Sequence, residues 1–262
     1  MERCRIRFTF SLAVCLYDAF TGRPAEDPQL CVSVAGSPQK PVRKQDGFYV
    51  FSGLPPGEKL VTIRSRVYFD QTIQLLAGEK TSIAHIPLLP RASYAYPPRT
   101  TGLRLKVADQ RGMAQSLVSI KAIPTARECM FVRAMEPLKR GGTEVRVTGK
   151  IALISPGDWL LLASANSGQE EYVMVRDKDD FDGWLALQTP LKHDYEQGAG
   201  LYPVSQGMTD ETGEAILGFR QFAARQSAVR LVLERDGRVA QPELPFSLTE
   251  GNIHNLGNIA FP

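Results

Sequence analysis

Short runs of alternating apolar and polar residues recur along the chain, cut by glycine and proline every few residues. In Cys31-Val-Ser-Val34 and Phe48-Tyr-Val-Phe51 the period is two, which places one face of a strand in a core. Leu60-Val-Thr-Ile63 and Val229-Arg-Leu-Val-Leu233 are β-branched runs of the same kind. No stretch keeps apolar residues at i, i+3, i+4 and i+7 for three turns, so no amphipathic helix is predicted. The segment 218–226 has room for one helical turn at most and reads better as a loop. With 22 glycines and 18 prolines as punctuation, the pattern predicts an all-β protein built of sandwiches or barrels.

The same pattern occurs twice. Residues 18–24 (Asp-Ala-Phe-Thr-Gly-Arg-Pro), then Asp46-Gly47-Phe-Tyr-Val-Phe51, then Gly53-Leu-Pro-Pro-Gly57 spell strand, turn, strand, turn. Residues 109–112 (Asp-Gln-Arg-Gly) and the run from Thr209 to Leu217 repeat the first steps. Both copies close alike, at Leu76–Leu88 and Leu248–Ala260, with His85 and His254 near the ends. Internal similarity on this scale points to a duplicated β unit. The run of Asp18, Thr21, Gly22, Pro24, Asp46, Gly47, Tyr49, Phe51, Leu54, Pro55, Pro56 and Gly57 resembles the carboxypeptidase regulatory-like, or transthyretin-like, β-sandwich family. Lys59 stands where that family commonly has an aromatic residue. The resemblance implies a sandwich fold and little about function, because such domains are appended to many unrelated proteins.

Residues 1–90 are therefore read as the first sandwich and 91–100 as a stiff linker rich in Pro and Tyr. In that linker Tyr94 and Tyr96 staple the chain to a sandwich face. The second sandwich starts with Leu103–Val107 and Ser116–Ile120, and its hairpin returns only at Thr209. The intervening stretch is too long and too patterned for a loop. Residues 126–205 are read as a domain inserted into a second sandwich made of 101–125 and 206–262. Thr143–Thr148, Trp159–Leu162, Glu171–Val175, Trp184–Leu187 and Leu201–Val204 form its five expected strands, enough for a small closed barrel. Pro156, Gly157, Asp158, Glu171, Pro190, Leu191, Tyr195, Gly198 and Tyr202 give the insertion a resemblance to small β-domains of phage-tail and contractile-injection proteins.

Composition narrows the function classes. The 31 basic and 28 acidic side chains are interspersed and leave a net charge of +3, without the clustered Lys and Arg of a nucleic-acid binder. No run of apolar residues is long enough for a membrane-spanning helix. Met1–Tyr17 has two readings. Arg5–Tyr17 as the first strand fits the turn that follows it; a secretory or lipoprotein signal ending near Cys15 is the alternative. Cys4, Cys15, Cys31 and Cys129 lack metal spacing. They read as separate, mostly buried thiols, although a Cys15–Cys31 bond is conceivable.

Candidate chemistry is sparse. His193 beside Asp194 is the one imidazole–carboxylate neighbour that could act as a base, and no nucleophile motif accompanies it. Asp177–Gly183 is rich in carboxylates. Aligned to a calcium loop with Gly183 at position six, it puts Lys178 at position one and Thr189 at position twelve, where the template needs Asp and Glu. An Asp-Gly hairpin between Val175 and Trp184 is the better reading. Zinc-peptidase and phosphate-loop motifs are missing. Basic runs such as Arg3–Arg7 and Lys139-Arg140 read as solvated faces and loops.

These readings predict a non-enzymatic protein with no catalytic, cofactor or metal residue. Its partners are protein subunits of a larger assembly, built in the cytoplasm, and the resemblance of the insertion suggests a contractile injection particle. Sandwich edges and loop tips such as Asp177–Asp182 and Leu54–Lys59 would dock the neighbours. An exported adhesin or carbohydrate-binding protein is the competing expectation if the N-terminus is a signal.

Overall fold

A computed structural model describes residues 10–78, 83–242 and 246–262. Cys4, the basic run Arg3–Arg7 and the start of the expected first strand lie outside them. The chain separates into two compact units, 1–88 and 89–262. Among the described residues the only helical turns are two short 3-10 segments, Arg127–Cys129 and Ile151–Leu153, and no helix is long and apolar enough to cross a membrane.

The first unit contains β1 (Phe10–Asp18), β2 (Cys31–Val34), β3 (Val42–Arg43), β4 (Phe48–Ser52), β5 (Gly57–Arg64), β6 (Gln71–Ala77) and β7 (Ile83–Leu88). They form two sheets, β3-β4-β1-β7 and β2-β5-β6. β1 runs antiparallel to β4 and parallel to β7. Phe51 of β4, Val32 and Val34 of β2, and Val61 and Ile63 of β5 are buried in alternation with more exposed neighbours, whereas β1 is buried continuously from Leu12 to Asp18. Asp18 ends β1 with a buried carboxylate. Its Oδ1 accepts from the N–H groups of Phe20 and Thr21, and its Oδ2 from the Tyr68 hydroxyl at 2.9 Å. This explains the Asp at the head of the turn, since a buried carboxylate is tolerated only when its oxygens are bonded.

The second unit carries β8 (Gly102–Ala108) and β9 (Ser119–Pro124), then β10 (Val132–Ala134), β11 (Glu144–Gly149), β12 (Trp159–Ala163), β13 (Glu170–Asp179), β14 (Trp184–Leu187) and β15 (Gly200–Pro203). β16 (Ser205–Met208), β17 (Glu214–Gly218), β18 (Gln226–Arg235), β19 (Arg238–Ala240), β20 (Phe246–Thr249) and β21 (Ile253–Ala260) follow. One sheet is β17-β8-β21, and the other is β16-β9-β18-β19 with β20 also paired to β18. Leu103, Leu105 and Val107 of β8, Ile120 of β9, Leu217 of β17, and Leu231 and Leu233 of β18 share one buried core.

The pairings of the first unit recur here. β8 is antiparallel to β17 and parallel to β21, as β1 is to β4 and β7. The correspondence reaches single atoms. The Leu16 N–H donates to Gly47 O at 2.9 Å and the Val107 N–H to Gly213 O at 2.8 Å; the N–H groups of Ala25 and Gln115 return to Leu16 O and Val107 O. Asp109 Oδ1 accepts from the N–H groups of Arg111 and Met113, which repeats the Asp18 turn. His85 and His254 do not correspond: His85 pairs in register with Cys15, three residues before Asp18, whereas His254 pairs with Leu103, six before Asp109.

β10 to β15 close into a six-stranded barrel in the order β10-β11-β14-β13-β12-β15. The five expected strands are present, and the sixth, β10, supplies Val132 and Ala134 to a filled interior with Val145, Leu160, Leu162, Val173, Val175, Leu185 and Leu201. β9 starts three residues later than the expected Ser116. The buried Thr209 is the cause: its hydroxyl donates to Gln115 O and accepts from the Val118 N–H, holding residues 115–118 in a turn with Leu117 at φ 56°.

Candidate functional site

The barrel sits on the outer face of one sheet of the second unit. Along β9 and β18 the residues facing away from the sandwich core include Lys121, Ile123, Arg230, Val232 and Glu234, the strand period of two putting Ile120 and Leu231 on the other side. Leu161 of β12 joins Ile123 and Val232 in a separate small core, flanked by Tyr172 of β13, Tyr202 of β15 and Val204. Polar contacts ring it. Arg230 pairs with Glu170 at 2.7 Å, and Lys121 pairs with Glu234 and lies 4.9 Å from the Tyr172 ring centre.

A second anchor comes from Arg220, in the loop between β17 and β18. Its guanidinium grips Asp158 with two bonds, 2.9 Å to Oδ2 and 2.8 Å to Oδ1. Asp158 Oδ2 also accepts from the Ser155 N–H, closing the turn that leads into β12. Burial pushes the Asp158 carboxyl above its ordinary range, and Arg220 pulls it only part of the way back. The 91–100 segment is fixed to the same unit by Tyr96, whose hydroxyl donates to Ile216 O at 3.0 Å.

So mounted, the barrel presents the β13–β14 hairpin. Asp179 Oδ1 accepts from the N–H groups of Phe181 and Asp182, the Gly183 N–H returns to Asp179 O, and Lys178 pairs with Asp180 at 2.8 Å. Phe181 at the tip is 97% exposed. A large apolar side chain held in water by an ordered turn costs little to immobilise on binding, which suits a docking anchor. An aromatic residue inside an aspartate run was the signal for it in the sequence. The carboxylate of Asp179 serves the turn, as the hairpin reading expects.

The other candidate residues are not brought together. His193 is exposed, and Asp194 points elsewhere: the Arg140 N–H at 2.7 Å and the Lys139 ammonium hold its carboxyl below the ordinary range. Cys15 and Cys129 are buried free thiols, each pushed up by burial. Cys31 is free and exposed, which corrects its reading as buried. It lies on β2, in the opposite sheet from Cys15. Among the described residues no three His, Cys, Asp or Glu side chains form a set that could hold a metal ion.

The first unit uses its polar cluster for folding. Asp27 Oδ2 accepts from the Ser65 hydroxyl at 2.6 Å and Oδ1 from the Gln29 N–H. Burial alone would raise its carboxyl; the bonds from Ser65, Gln29 and Arg66 and the charge of Arg43 outweigh that, so it titrates below the usual value. A depressed carboxyl stabilises the fold above the unfolded value of about 3.9 and loses that contribution as the pH falls below it. Urea unfolding followed by a probe in residues 10–78 is expected to show stability falling below about pH 4, with a shallower fall in Asp27→Asn. Equal slopes would rule out this role.

No known family model matches the chain, and no curated protein matches it.

Proposed function

We propose that the protein is a non-enzymatic scaffold that positions docking surfaces within a multi-subunit assembly, of which a phage-tail-like contractile injection particle is the favoured kind. In this reading two transthyretin-like sandwiches, 1–90 and 101–125 with 206–262, form the frame, and the barrel of 126–205 interrupts the second. The observation that carries it is the mounting of the barrel: a small core and a two-bonded Arg220–Asp158 pair hold it against the sheet, and its ordered hairpin exposes Phe181. Such a support fixes the direction of a loop better than a flexible tether does, and loops on rigid frames commonly carry recognition. The resemblances to transthyretin-like domains and to tail proteins agree with the reading.

The test is recovery of the chain from its host through a C-terminal tag, with the size and composition of what accompanies it. The expected result is a particle far larger than the 28.9 kDa chain, containing sheath- and tube-like subunits. A free monomer in the host would refute the assembly role.

A further inference from the structure

We propose that copies of this chain join head to tail, the Phe181 tip of one entering an arginine-lined cavity of the next. The inference rests on reading that tip as a docking element. The cavity, about 590 Å³, lies in the second unit; Arg111, Arg235, Arg238, Asp109 and Phe261 are among its lining residues. Its volume is within the range of pockets that enclose a ligand group.

Arg235 and Arg238 face each other directly across the β18–β19 hairpin. Asp236 and Gly237 make the turn with φ 51° and 76°, the two positive values a tight hairpin needs. Like charges at opposed cross-strand positions repel, and the counter-charge beside them is partial. Asp236 lies 3.4 Å from Arg235 Nε but its side chain is 84% exposed, and Asp109 Oδ1 is engaged by two backbone N–H groups. Gln115 Oε1 holds one Arg235 nitrogen at 2.7 Å, so that guanidinium is already oriented. A guest that brings carboxylates relieves the repulsion and meets planar donors suited to it. Phe261 is among the lining residues but only 4% exposed, so it adds a small apolar patch and a guest is held mainly through its carboxylates. At the tip Asp182 offers a carboxylate, beside Asp180, which is paired with Lys178 in its own copy, and Phe181 is open to solvent there. Tip and socket are different surfaces, so the contact is heterologous and propagates into a ring or a filament.

Sedimentation velocity of the full chain tests this, from about 2 to about 200 µM at about 50 mM and about 500 mM salt. The weight-average sedimentation coefficient is expected to rise with concentration at low salt and to fall back at high salt. Phe181→Ser, Asp182→Arg and Arg238→Asp should each weaken association about tenfold or more. Asp182→Arg combined with Arg238→Asp in one chain should restore most of it, with circular dichroism unchanged throughout. A monomer at every concentration overturns the proposal, as does association that none of the variants alters. Weakening by the tip variants alone would assign the tip to another surface and equally overturn the socket. A chain that is monomeric here yet recovered in a large particle leaves the assembly role standing and this contact refuted.

Discussion

Gly47→Ala is expected to unfold the first unit at a markedly lower temperature, and Gly213→Ala to do the same in the second. Both glycines have positive φ, 77° and 76°, where an L side chain costs about 1–2 kcal/mol. More decisive is what a Cβ would meet. At Gly47 it runs into the Leu16 carbonyl oxygen, and at Gly213 it lies 2.6 Å from that of Val107. Neither oxygen can yield easily, because each accepts a backbone bond, from Ala25 and from Gln115. Relieving the clash means parting β4 from β1, or β17 from β8, where overpacking adds about 1–3 kcal/mol. A total of roughly 2–5 kcal/mol is a large part of the stability of a unit this size. Gly36→Ala is the control: φ is 72°, but no atom lies within 4 Å of the added carbon, so only the conformational cost of about 1–2 kcal/mol applies. Calorimetry of the full chain, with hydrogen exchange locating the loss, separates the two effects. Gly47→Ala no worse than Gly36→Ala would mean that the close approach is unimportant.

These two glycines also show what could be read in the sequence. Asp46-Gly47 and the turn at Thr212-Gly213 were visible as repeated punctuation, and the structure puts them at equivalent points on β1 and β8. The barrel was visible because its strands carry their own alternation, Leu160 and Leu162 inward with Leu161 outward. β10 was not, since three residues are too few to show a period. The start of β9 was misplaced because Thr209 sets it from 91 residues away. Long-range polar pairing stayed hidden for the same reason: nothing local in Pro156-Gly-Asp158 announces Arg220, and nothing in Lys192-His-Asp194 shows that Asp194 serves the Arg140 N–H. The two histidines near the ends sit three register positions apart on the equivalent strands, and the single residue inserted by the bulge between Asn255 and Asn258 covers only part of that offset, so distance from the chain end is a poor guide to register.

The Arg220–Asp158 pair should carry more of the second unit's stability than an ordinary surface ion pair. Its side chains are 20% and 14% exposed, and the two-bonded geometry fixes both groups. Arg220→Met removes the cation and leaves a largely buried carboxylate, a change that costs about 3 kcal/mol or more in such settings; an exposed pair would cost under about 1 kcal/mol. The sign of the pH dependence distinguishes this from lost packing. Burial already raises the Asp158 carboxyl in the presence of Arg220, so the folded chain holds its proton more tightly than the unfolded chain. Stability from such a group is present at low pH and declines as the pH rises through the ordinary carboxylate range and above. Without Arg220 the rise is larger and the decline extends further. Arg220→Met should therefore lose most at about pH 7.5 and recover part of the loss at about pH 4.5, in urea unfolding read by tryptophan emission. Both tryptophans, Trp159 and Trp184, lie in the barrel, so the readout follows the element the pair anchors. Adding Asp158→Leu to Arg220→Met should restore part of the stability, because it removes the unpaired charge while leaving the Ser155 N–H without its acceptor. A loss that is the same at both pH values and persists in full in the double variant would mean that Arg220 acts through its packing, and the barrel would then owe its seat to Ile123, Leu161 and Val232 alone.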